Sequence, residues 1–245
     1  MDDKVMSNYV IDNKLVNLIP VINPKLKGKS GIEITLLYRI LPCVEIDSSK
    51  IVREAYRLFY QGNIPDSSDT IFNALIPLKD FCVDKLIILA KKDRRYNPFN
   101  NRGTLRQDLH GLIYLYLDDI FNGNDKLRML FEEYCELMYS FSNFMPVPTY
   151  FNGSQGKDGK GTWALNKDYP YLYLQNLKEE NSSIFNREDN LKWLNDNMKK
   201  YRIQKIYSLK LPYNVLKEYY DDEKKKALTD FIMNAIKLIK NRFED

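Results

Sequence analysis

The stretch from Tyr139 to Trp163 constrains this chain more than any other. It holds two of the ten prolines, Pro146 and Pro148, and four of the ten glycines, at 153, 156, 159 and 161. No long helix crosses such a segment, although an amphipathic pattern runs into it and another leaves it. Five rings precede Gly153 (Tyr139, Phe141, Phe144, Tyr150 and Phe151), more than a solvated linker carries. The segment therefore reads as an ordered Pro/Gly/aromatic loop over 142–167, of the size that usually has a function.

The chain around it has 245 residues, enough to bury a substantial core in one domain. Hydrophobic residues make up 44%, which excludes a disordered chain. A net charge of +4 neither demands nor excludes a polyanionic partner, because clustering matters more than the sum. The three cysteines, Cys43, Cys82 and Cys135, share no CxxC spacing and sit in apolar contexts, as reduced, packed thiols do. The opening MDDKVMSNYV lacks the apolar core of a secretory signal, and no run approaches the length of a membrane span. A cytoplasmic protein without membrane contact is expected.

The periodicity predicts a mostly α, single helical domain over 1–245, with room for one small two-stranded β element. Residues 1–30, broken by Pro20, Pro24 and Gly28, read as an irregular N-terminal arm. Residues 32–40 alternate at strand period; if they are a strand, 201–211 would be its partner. Asp47 to Ser49 offer N-caps to a helix through Phe59, and Ser67 to Asp69 to a second through Leu75. Thr104 and Gln107 fit a capping box for a helix carrying Leu105, Leu109, Ile113, Tyr116, Leu117 and Ile120. Leu127, Leu130, Phe131, Tyr134, Leu137, Met138 and Phe141 form the cleanest stripe. The C-terminal helix buries Leu228, Phe231, Ile232, Ala235, Leu238 and Ile239.

Chemistry-bearing patterns are few. Lys157 and Lys160 lie among the loop glycines, as in a phosphate cradle. The spacing nevertheless fails both the Walker and the dinucleotide fingerprints. With Asn143, Asn152 and Trp163 they are the candidate ligand-binding residues. Residues 91–106 are the most basic segment, with six cations and one acid. Arg94, Arg95, Arg102 and Arg106 with Tyr96 suit phosphates and unpaired bases. His110, the only histidine, stands four residues from Arg106 on one helix face, with Asp108 off that face. Helical HEPN-type ribonucleases use an Arg and a His on one helix, at a wider spacing. One histidine cannot build a zinc or di-metal site, and no catalytic triad assembles. No metal and no cofactor are expected. Glu132, Glu133 and Glu136 read as the exposed face opposite the core stripe.

Tyr139, Asn143, Met145, Pro148, Asn152 and Asp168 resemble the conserved places of a bacterial domain family of unknown function. That family carries a Tyr-Thr-Ile-Gly-Asn/Gly-x-Met-x-x-Pro block, an Asn before an Arg-Gly turn, and an Asp-led helix start. Ser142 replaces the family's glycine, and Lys160-Gly161 its Arg-Gly. The resemblance spans about 35 residues and implies a fixed loop but no reaction; Asn143 and Asn152 are suited to pinning its backbone. The functional expectation is a non-enzymatic binding or regulatory protein of bacterial or mobile-element type, acting through residues 139–163 and the basic segment. The alternative is a nucleic-acid-binding protein or ribonuclease using residues 91–106 and His110. The partner is a protein or a nucleic acid, and the oligomeric state is left open.

Overall fold

The computed structural model describes residues 2–46, 49–65, 67–148, 187–205 and 222–244. Helices dominate them: α1 (Asp3–Asp12), α2 (Ile19–Ile22), α3 (Gly31–Ile40), α4 (Lys50–Tyr60), α5 (Leu75–Ala90), α6 (Leu109–Leu115), α7 (Leu117–Phe121), α8 (Asp125–Met138), α9 (Arg187–Asn197) and α10 (Asp222–Lys240). Short 3-10 turns lie at Pro24–Leu26, Arg94–Tyr96 and Phe141–Asn143. One antiparallel ribbon joins β1 (Ser67–Thr70) to β2 (Phe144–Val147), with Ser67 opposite Val147 and Thr70 opposite Phe144. The fold is thus mostly α with a small two-stranded element, as the periodicity predicts.

The strands are not the expected ones. Residues 31–40 are helical. Ser30 caps them, its Oγ accepting from the Glu33 amide while the Glu33 carboxylate accepts from the Ser30 amide. α3 buries Ile32, Ile34, Thr35, Leu36 and Tyr38. A helix buried on most sides has no polar face, so its 3.6-residue period disappears and an accidental alternation remains. In the 201–211 region the described residues 201–205 form no strand, and 206–211 lie outside the described residues.

The N-terminal arm is not irregular either. Asp2 caps α1 through the Lys4 amide, and α1 packs along α4, where Ser7 Oγ donates to the Ile51 carbonyl at 3.4 Å. Ser67 to Asp69, expected to open a helix, belong to β1 instead, and the helix begins at Leu75. Thr104 and Gln107 cap nothing, since α6 starts at Leu109.

The predicted stripe of α8 is packed into the core of the described residues. Leu127, Phe131, Tyr134, Leu137 and Met138 are buried, with Leu130 half-buried. α8 packs against α3 on one side and α10 on the other. α10 buries Leu228, Phe231, Ile232, Ala235 and Ile239 as expected, while Leu238 is half-buried. A ring cluster formed by Tyr56, Phe59, Tyr60, Phe141, Tyr201 and Phe243 ties α4 to both chain segments beyond α8.

Candidate functional site

Residues 139–147 are buried without exception. Asn143 fixes them. Its Oδ1 accepts from the Phe72 amide at 3.0 Å, and its Nδ2 donates to the Phe72 and Met138 carbonyls at 2.7 and 2.6 Å. This is the pinning role expected of it. Arg242, just past α10, locks the same place from the other side. All five guanidinium N–H groups are used: Nε on the Tyr201 carbonyl, Nη1 on those of Ser142 and Phe144, and Nη2 on the Tyr201 carbonyl and the Tyr60 hydroxyl. No carboxylate pairs with Arg242 among the described residues. The first third of the loop is therefore core and offers a partner no surface. Asn152, Lys157, Lys160 and Trp163 lie outside the described residues.

The basic segment is at the surface. After α5, Asp93 caps the 3-10 turn through the Arg95 amide, and its carboxylate also holds the Arg95 guanidinium at 2.7 Å. Tyr96 donates to Asp119 at 3.0 Å, and its ring packs against Tyr116 at 4.6 Å. Residues 98–106 then form a hairpin. Phe99 pairs with Leu105, the Arg106 amide donates to the Pro98 carbonyl, and Gly103 takes a left-handed φ of 74° at the tip. Asn100 organises the tip, its Oδ1 accepting from the amides of Arg102 and Thr104. This Asx-type turn outcompetes the helix start that Thr104 and Gln107 suggest.

The hairpin also separates Arg106 from His110. Arg106 precedes α6 and forks onto Asp108 with contacts of 2.8 and 2.5 Å; the two residues do not share a helix face. Pairing thus occupies Arg95 and Arg106. Lys91, Lys92, Arg94 and Arg102 are exposed and have no acidic partner among the described residues. The hairpin and the residues after it line a 430 Å³ depression, formed by Phe99, Asn100, Asn101, Arg106, Gln107 and Asp108.

His110 is half-buried on α6. Burial is the main cause that pushes its pKa below the ordinary value, and Arg39 on α3 and Lys79 on α5 add to it. The charges acting on this imidazole come from those two helices and not from the arginines of the hairpin. No group of three His, Cys, Asp or Glu residues among those described is arranged to hold a metal ion. Cys43, Cys82 and Cys135 are free thiols, the latter two buried. No helix of the described residues is long and apolar enough to cross a membrane.

Glu132 departs from the reading of an exposed acidic face. It reaches the start of α3, accepting from Ser30 Oγ at 3.0 Å and the Ile32 amide at 2.8 Å. Neither this contact nor those of Arg242 carry a sequence signal, since their partners, mostly backbone groups, lie far away in the chain. Comparison with family models, curated proteins and solved structures found no match.

Proposed function

We propose that this is a non-enzymatic binding protein that takes single-stranded nucleic acid on residues 91–106. One observation carries the reading: Lys91, Lys92, Arg94 and Arg102 are exposed on one turn and hairpin without a counter-ion. Cations left unpaired by the fold are available to displace condensed counter-ions from phosphates. The adjoining depression supplies the half-buried Phe99 ring and the amides of Asn101 and Gln107. A ring with neighbouring amides suits unpaired bases better than a duplex, whose stacked bases are closed to it. Residues 139–147 are buried and offer a partner no surface, whereas most of the hairpin is exposed. His110, under the influence of Arg39 and Lys79, is given no catalytic part.

Fluorescence anisotropy of labelled single-stranded RNA and DNA and of duplex DNA, each at low and at physiological salt, tests the reading. The expected result is single-strand binding that weakens steeply with salt. Arg102→Ala alone should lower the slope of log K against log salt by about one. Joint replacement of Lys91, Lys92, Arg94 and Arg102 by Ala should abolish binding, while His110→Ala should leave it unchanged. Absence of binding at low salt overturns the proposal.

A further inference from the structure

α1 and the segment that turns back from it into α2 enclose a second concave surface, of about 720 Å³. Val5, Met6 and Tyr9 form one wall, on one face of α1. Leu15, Pro20 and Val21 form the other, and Ile34 of α3 closes the floor. The lining is mainly apolar yet open to solvent: Val5 is 54% exposed, Tyr9 43% and Leu15 39%. A contiguous apolar surface of this kind marks an interaction site more often than chance exposure, and its volume lies in the range of ligand-sized clefts.

The polar groups of the groove say what it would take. Asn17 is spent, accepting from the Ile19 amide at 2.9 Å and donating to the Cys135 carbonyl at 3.4 Å. Lys27 and Glu136 also line the groove, and neither has a partner among the described residues. Burial and the neighbouring Glu132 and Glu133 raise the Glu136 pKa, so an incoming cation would relieve a repulsion already present. An apolar trough with one unpaired charge of each sign complements an apolar ligand bearing both signs. An amphipathic peptide helix has that chemistry; a fatty chain or an apolar metabolite does not.

We propose that the groove between α1 and α2 docks an amphipathic helix of a partner protein, which sets a Lys or Arg against Glu136 and an Asp or Glu against Lys27. Such a helix would place apolar side chains at i, i+3 or i+4, and i+7 between Val5, Tyr9 and Leu15. The site is independent of the basic hairpin.

A displayed library of single-helix peptides, selected on the full-length protein, tests this. The expected outcome is enrichment of helices with that apolar spacing and one flanking cation. Their affinity should fall about tenfold or more for Tyr9→Glu and for Val5→Glu, both at exposed positions where folding is spared. Glu136→Lys should weaken the same peptides, and exchanging the peptide cation for Glu should restore them. Three outcomes overturn the proposal. One is no enrichment, and another is enriched peptides that bind Tyr9→Glu as well as the parent. The third is concentration-dependent self-association abolished by Tyr9→Glu, which would make a second copy the occupant.

Discussion

Two asparagines separate what a hydrogen bond contributes from where it is made. Asn143 bonds the Phe72 amide, the Phe72 carbonyl and the Met138 carbonyl in a fully buried setting. Asn100 makes as many bonds, to the amides of Arg102 and Thr104 and to the Thr104 hydroxyl, at an exposed hairpin tip. Water replaces a lost bond at the tip and cannot reach the buried one, where each orphaned group bears its full desolvation cost. We therefore expect Asn143→Ala to lower unfolding free energy by about 2–4 kcal/mol, and Asn100→Ala by less than about 1 kcal/mol. Urea titrations followed by circular dichroism would measure both. Equal losses would mean that bond count, not burial, sets the contribution.

At the level of elements, the crossing of α3 over α8 decides the packing. A Cβ at Gly31 would lie 2.3 Å from the Glu132 carbonyl oxygen and 2.9 Å from the Glu136 amide, backbone atoms that cannot step aside. Gly111, inside α6, would meet nothing within 4 Å. The two glycines should answer oppositely to alanine. Gly31→Ala should destabilise by about 1–3 kcal/mol, the clash outweighing the better helix propensity. Gly111→Ala should stabilise by about 0.5–1 kcal/mol through that propensity alone. Thermal and urea unfolding of the pair would show whether crossing distance or propensity governs. The same crossing explains which elements the sequence reveals. α8 and α10 each keep a polar face, so their apolar stripes survive in the sequence. α3 is buried on most sides and loses its period, although Ser30 and Glu33 spell its cap. The strands are hidden too, because β1 is four short polar residues and β2 contains Pro146. The basic segment is legible as a cluster of cations. Which of them remain unpaired depends on Asp93 and Asp108 finding Arg95 and Arg106, which spacing alone does not dictate.

Across the whole molecule, two half-buried ionisable groups oppose one another in the pH dependence of stability. Asp80 on α5 has its pKa raised from 3.8 to about 6, chiefly by burial, with Lys79 opposing and Asp84 adding to the shift. Between pH 4 and 6 the folded chain therefore keeps a proton that the unfolded chain has lost. This contribution is present at low pH and disappears as pH rises through 6. His110 has its pKa lowered below 6.5. Around that value the unfolded chain binds more protons, so its contribution is present at neutral pH and is lost on acidification. Replacing Asp80 by Asn removes the first effect and leaves the second. The difference in unfolding free energy between Asp80→Asn and the parent should therefore be near zero at pH 4. It should grow through pH 6 and level off in favour of the variant, by on the order of 2 kcal/mol, at pH 7. Urea unfolding at half-unit steps from pH 4 to 8 would trace it. A flat difference would place the Asp80 carboxylate in solvent, and one larger on the acid side would mean that the fold favours its ionised form; either result contradicts the burial of Asp80.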